Sequence, residues 1–203
     1  MKQIVLATHN QDKAREISAL LADLGVEVRT LDAFPQVGPI VEDAGTLEGN
    51  ALLKAQAVAR ATGLPSLGDD TGLEVHSLYG EPGVYSSRYS GEHATYAQNV
   101  AKLLAVMKSF PPRRRGARFR CVLAFVAPGT SPRMVEGACL GAILDKPRGI
   151  GGFGYDPVFL PAGHDVTLAE MDLSLKNKIS HRGRAVQKIV PILREYFKKP
   201  QGG

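Results

Sequence analysis

Two adjacent carboxylates, Asp69 and Asp70, stand between glycines in Gly68-Asp69-Asp70-Thr71-Gly72, with apolar runs on either side. Glycine lets a backbone turn sharply, so the stretch predicts a short acidic loop at the end of a strand. Oxygen ligands from a few protein groups, with space for waters and substrate phosphates, are what Mg²⁺ takes. A solvated turn uses the same residue types, and the loop alone does not separate the two. Three further segments have an anion-binding or base-reading character. Together the four point to an enzyme acting on a nucleoside triphosphate.

The first is Thr8-His9-Asn10-Gln11-Asp12-Lys13, which follows an apolar strand and opens a helix. Unpaired N–H groups and the positive end of the helix dipole suit a phosphate there, and Lys13 in the first turn is favourable when an anion lies beside it. A plain N-cap by Asn10 is the structural alternative. The Gly-rich spacer of a Walker loop is missing. The second is Pro147–Pro157, where Gly149, Gly151 and Gly154 spell G-x-G-x-x-G. A dinucleotide fingerprint must open a helix, and Pro157 stands inside the turns that helix would need. What remains is a glycine loop presenting Phe153, Tyr155 and Asp156, whose aromatic rings suit a base. The third is Lys176-Asn177-Lys178-Ile179-Ser180-His181-Arg182-Gly183-Arg184, a set of donors at the start of the last helix. A purine edge or a phosphate fits it, and His181 is read as a binding group rather than a general base.

The elements that must carry these segments alternate between α and β. Ile4–Ala7 predicts a strand, and the spacing of Ala14, Ile17, Leu20, Leu21 and Leu24 predicts a helix stopped by Gly25. Val26–Thr30 predicts a strand, Pro35–Gly45 a loop and Leu47–Thr62 an Ala/Leu-rich helix. Thr95 with Gln98 predicts a capping box opening a helix to Met107. Phe119–Ala127 and Met134–Leu144 predict two longer strands in a meander, and Gly183–Phe197 a last helix kinked or divided by Pro191. Pro200-Gln201-Gly202-Gly203 is expected to fray.

The 203 residues suffice for one large domain or two small lobes, and 44% hydrophobic with 22% charged residues is ordinary globular composition. No apolar run reaches the ~18–20 residues of a membrane span, and the first strand turns polar too early for a signal-peptide core. Cys121 and Cys139, far apart and in apolar contexts, form neither a disulfide framework nor a zinc motif, and suggest buried thiols in a reducing cytoplasm. A net charge of +5 favours polyanions in general. Arg113-Arg114-Arg115 with Arg118 and Arg120 reads as a solvated basic loop, since no aromatics alternate with it as single-strand binding requires.

Five segments in order carry a resemblance: Thr8-His9-Asn10 with Lys13, Asp69-Asp70-Thr71-Gly72-Leu73, Gly80–Tyr89, Phe153-Gly154-Tyr155-Asp156-Pro157 and Ser180-His181-Arg182. Spanning Ile4 to Ile192, the chain resembles the inosine triphosphate pyrophosphatase family. The resemblance implies hydrolysis of ITP, dITP and XTP to the monophosphate and pyrophosphate with Mg²⁺, by a cytoplasmic homodimer without nucleic-acid or membrane partners. It implies an α/β fold, one domain over 1–203 with an elongated, twisted mixed sheet, flanking helices and two lobes around a central cleft. Residue by residue, it makes Asp70 the proton acceptor and a metal ligand and Glu42 a second ligand; apart from the resemblance, a metal between the two adjacent carboxylates would make Asp69 a ligand as well. Thr8, His9, Asn10, Gln11, Asp12 and Lys13 fall on the triphosphate turn, with Thr71 beside the acid. Phe153, Gly154, Tyr155, Asp156, Lys176, His181 and Arg182 fall on the base-binding set. His9 stands where glycine is common, Thr46-Leu47-Glu48-Gly49 is one residue short and lacks an aromatic, and Leu168-Ala169-Glu170-Met171 replaces a segment starting with Phe.

Other classes remain open on the residues alone. A nucleic-acid-binding module would use the basic surface, and a nucleotide-binding regulator or transferase would bind without hydrolysis. A related pyrophosphatase would prefer pyrimidine or methylated nucleotides.

Overall fold

The structure, a computed structural model, describes residues 2–198, so the tail from Pro200 to Gly203 lies outside the described residues. The chain divides into two compact units. The first comprises 2–70, 121–137 and 182–198, and the second 71–120 and 138–181.

In the first unit, β1 (Gln3–Ala7) lies between β2 (Glu27–Arg29) and β3 (Ser66–Val75), parallel to both. The register pairs Ile4 with Val28 and Leu6 with Leu67. Parallel neighbours need helical crossovers. These are α1 (Gln11–Leu21), capped by the Asn10 side chain, and α2 (Leu47–Thr62), capped by Thr46. The central strand β1 is apolar on both sides because both of its faces are covered. Ile4, Leu6 and Leu67 pack with Ile17 and Leu21 of α1 and with Ala185, Ile189 and Leu193 of α5 (His181–Lys198). Val5 and Ala7 pack with Val58 of α2 and with Leu31, Phe34 and Val37 of the loop before it. Pro191 lies inside α5, which continues through it as one helix rather than dividing.

The sheet order is β2-β1-β3-β5-β6-β7, with β4 (Pro82–Gly83) pairing β3. Here β5 is Gly116–Val126, β6 Arg133–Ile143 and β7 Phe159–Pro161. Parallel pairing at β1 and antiparallel pairing of β3 with β4 and β6 with β7 make the sheet mixed, as expected of the α/β class. In the second unit, α3 (Tyr96–Met107) opens on the capping box of Thr95 and Gln98. Its Val100, Leu103 and Met107 pack on Leu73, Val75, Phe119, Cys139 and Phe159.

Three sequence expectations are corrected. The acidic stretch is no loop: Gly68 to Gly72 lie inside the ten-residue strand β3. Gly68 serves close approach rather than turning, since a Cβ there would come 2.1 Å from the Ala51 carbonyl oxygen of α2. The donors of 176–184 do not share one helix start. Leu173–Ile179 is a separate short helix, α4, capped by Asp172, and Ser180 breaks it from α5. The basic run is not a freely solvated loop either. Arg115 is buried and donates to the carbonyls of Met107, Phe110, Ile143 and Leu144, while Arg118 and Arg120 both pair with Glu74.

Candidate active site

Successive side chains of a strand point to opposite faces, so Asp69 and Asp70 of β3 diverge. Asp70 faces α2. Its Oδ1 accepts from Lys54 Nζ at 3.0 Å and its Oδ2 from Asn50 Nδ2 at 3.3 Å. Asn50 and Lys54 stand four apart on the helix and so share a face. The same ammonium donates to Glu42 Oε2 at 2.8 Å, and Asn50 Oδ1 accepts from the Ala44 N–H at 3.1 Å, which ties the loop carrying Glu42 to the helix. Burial raises the Asp70 carboxyl, and Glu42 adds to this against the opposing Lys54 and Lys13; the balance lies above its ordinary value. Burial lowers Lys54, but the two carboxylates raise it more, so it stays a cation.

Asp69 faces α1 and α5 and is wholly buried. Lys13 Nζ lies 2.5 Å from Oδ1, and Oδ2 accepts from Arg182 Nε and Cys121 Sγ, each at 3.1 Å. The Arg182 Nη1 donates to Glu16 Oε2 at 2.6 Å. Burial would raise the Asp69 carboxyl, yet Arg182 and Lys13 hold it well below the usual carboxylate range. The expected three-carboxylate metal set is therefore not gathered in one place: among the described residues, no group of three or more His, Cys, Asp or Glu is arranged to hold a metal. The alternation of the strand is the physical reason. Glu42 and Asp70, whose oxygens converge on one cation, are the pair that can hold one.

The segment from Thr8 to Lys13 keeps the expected strand–turn–helix form. Thr8 Oγ1 accepts from the Asn10 N–H and Asn10 Oδ1 from the Lys13 N–H, while His9 is exposed. Gln11 reaches Asp32 and Asp12 reaches Arg15, so both side chains engage surface neighbours. Thr71, next on β3, is half-buried.

In the second unit, Asp156 Oδ2 accepts from Lys176 Nζ at 2.5 Å and from the Phe153 N–H at 2.9 Å. Lys176 stands 4.9 Å above the Phe153 ring, and Tyr96 lies 5.8 Å from that ring. Gly152 makes this possible, because a Cβ there would come 2.2 Å from the Asp156 carboxylate. Gly154 follows in a left-handed conformation, and Tyr155 is buried with its hydroxyl donating to the Ser86 carbonyl. His181 is buried and stacks on Phe119 at 4.6 Å.

The Ham1 family profile matches residues 4–192. A relative named dITP/XTP pyrophosphatase from Geobacter sulfurreducens is 49% identical over 92% of this chain and 94% of its own. The Bacillus subtilis relative of the same name is 42% identical over 95% of this chain and 98% of its own.

The chain belongs to the Ham1 family.

The solved structure of a Ham1 protein from Coxiella burnetii agrees with the assignment, with a TM-score of 0.87 and 41% identity over 96% of this chain and all of that one. The resemblance read from the five segments is thereby upheld. Sequence reasoning missed four polar residues that contact Asp69, Asp70 or Arg182: Glu16, Asn50, Lys54 and Cys121. For Asn50 and Lys54 a signal was present, polar residues four apart on the face of α2 that also holds Leu47, Ala51 and Val58. Among the described residues, no helix is long and apolar enough to cross a membrane.

Proposed function

We propose that this chain hydrolyses ITP, dITP and XTP to the nucleoside monophosphate and pyrophosphate, clearing deaminated purines from the nucleotide pool. The relatives named dITP/XTP pyrophosphatase support this substrate class. The observation that carries it is the pair of carboxylates, Glu42 and Asp70, held on one ammonium beside an independent anchor for Lys13.

Attack of water on the α-phosphorus expels a leaving group that gains negative charge. Asp70 accepts the proton of that water, and its raised proton affinity brings it nearer the operating pH of a general base. Lys13, and Lys54 behind the carboxylates, supply fixed positive charge where the leaving group develops. Two convergent carboxylate oxygens suit a hard cation that keeps waters and substrate phosphates as its other ligands, so Glu42 and Asp70 would hold Mg²⁺. When bound, Mg²⁺ supplies charge neutralisation on the phosphates. Thr8 to Asn10 offer backbone N–H groups to the phosphates.

Phe153 gives the base an aromatic partner, and Lys176, held by Asp156, gives the 6-oxo group of hypoxanthine or xanthine a donor. His181 joins this set on the family resemblance. Adenine carries an amine at that position and leaves such a donor unmatched, which discriminates by as much as roughly 10⁴-fold. The test is pyrophosphate release from ITP, dITP, XTP, GTP, ATP and TTP with and without Mg²⁺. Fast release from the first three sustains the assignment. Faster turnover of TTP would move the chain to the pyrimidine-preferring class. Salt-sensitive oligonucleotide binding without turnover would make it a nucleic-acid module.

A further inference from the structure

Tyr96 is the first residue of α3 and stands one turn before the buried stripe of Val100, Leu103 and Met107. Its ring runs past the edge of that core and stays 42% exposed. There it meets Phe153, with 5.8 Å between the ring centroids and 41° between their planes. The backbone under each ring is fixed. The capping box of Thr95 and Gln98 sets the helix start, and buried Asn99 ties it down by accepting from the Ser90 N–H at 2.8 Å and donating to the Ser87 carbonyl at 3.0 Å. Phe153 is fixed by its N–H on Asp156, and the Lys176 ammonium lies 4.9 Å over its ring.

We infer that Tyr96 is a substrate-contacting residue, the second aromatic surface against which the nucleobase packs. This rests on the function proposed above, in which Phe153 takes the base. Aromatic partners settle with centroids about 4.5–7 Å apart, stacked with an offset or tilted. A base that partners Phe153 at such a distance comes within reach of a further ring only 5.8 Å away. A double-ringed purine is broader than the phenyl ring and extends beyond it, where Tyr96 offers a flat apolar surface already exposed to receive it. The ring does little for the helix that carries it. Alanine is the better helix former at that position, so removing the ring should be felt in binding rather than in folding.

Inosine monophosphate, which carries the base, and inorganic tripolyphosphate with Mg²⁺, which has none, separate the two ends of the substrate. Their dissociation constants are measured by titration calorimetry on the wild type, Tyr96→Ala and Tyr96→Phe, each first shown by its melting transition to be folded. Tyr96→Ala is expected to weaken inosine monophosphate about 10-fold, the scale of one base–aromatic contact, and to leave tripolyphosphate unchanged. Tyr96→Phe keeps the ring and is expected to bind inosine monophosphate as the wild type does. Unchanged inosine monophosphate affinity in Tyr96→Ala, an equal loss for tripolyphosphate, a loss in Tyr96→Phe as large as in Tyr96→Ala, or no inosine monophosphate binding by the wild type overturns the inference. Wild-type turnover of ITP, assayed separately, reports on the functional proposal itself.

Discussion

Asp69 and Asp70 are consecutive residues whose carboxylates lie on opposite faces of β3, one gripped by Lys13 and Arg182 and the other by Lys54 and Asn50. Their environments move their proton affinities apart, Asp69 well down and Asp70 up. Groups separated in this way take different tasks. On the function proposed above, Asp69 stays an anion that holds cations in place, and Asp70 would be the group that exchanges a proton.

Isosteric amides at the two positions are therefore expected to behave differently. Asp70→Asn should cut turnover by about 10²-fold or more while leaving the melting transition near that of the wild type. Asp69→Asn leaves Lys13 and Arg182 facing an uncharged amide in a buried site, and should cost on the order of 3–5 kcal/mol in denaturant unfolding. Because the folded Asp69 pKa is depressed, that stabilisation is complete above the unfolded carboxylate value. It is lost as pH falls through the lower folded value, so the difference between variant and wild type should shrink in strong acid. Equal loss of turnover in two equally stable variants would deny the division of tasks.

The pH profile follows from Asp70. In the proposed mechanism its carboxylate form accepts the proton, and burial first, with Glu42, raises the folded pKa above the ordinary value of 3.8. Measured at limiting Mg²⁺, where a bound cation does not offset the rise, the acid limb of kcat/KM should accordingly have its midpoint above 3.8, with activity lost as pH falls through it. A limb at or below that value would assign it to another group.

Gly68→Ala tests the contact that sets Asp70 against α2. The added Cβ would meet Ala51 O at 2.1 Å and Ala55 N at 3.0 Å, both backbone atoms, so helix and strand must separate. Overpacking of this kind costs about 1–3 kcal/mol, and the shift should draw Lys54 and Asn50 away from Asp70. Thermal unfolding and kcat should both fall. A variant with unchanged kcat would show that the spacing of α2 from β3 does not matter to the chemistry.

Much of the frame was readable where local chemistry has one outcome. Thr46 and Gly63 bracket α2 at its observed ends, and Thr95 with Gln98 forms the capping box of α3. The glycines beside Asp69 and Asp70 were ambiguous, because glycine serves both sharp turns and close backbone approach, and only the packed helix reveals which. Lys54 and Asn50 did leave a signal, two polar residues four apart on the core-facing side of α2, but the Ala/Leu-rich composition of that helix reads as core. Arg115, one of three consecutive arginines, found four carbonyls that belong to distant parts of the chain, a partnership no local pattern announces.

Asp156 and Lys176 form a buried pair, each side chain 4% exposed. Asp156→Ala strands the ammonium without its anion and removes the acceptor for the Phe153 N–H. It should cost about 3–5 kcal/mol in stability. In the folded fraction, the KM for ITP should rise while that for tripolyphosphate inhibition stays constant. A parallel rise in both would remove this pair from base recognition.

Position of bond cleavage tests the central claim most directly. ITP is hydrolysed in ¹⁸O-labelled water with Mg²⁺, and the products are weighed by mass spectrometry. Water attacking the α-phosphorus leaves one ¹⁸O in inosine monophosphate and none in pyrophosphate, which is the predicted result. Label in pyrophosphate, or inosine diphosphate with labelled orthophosphate, would place the attack elsewhere and contradict the account.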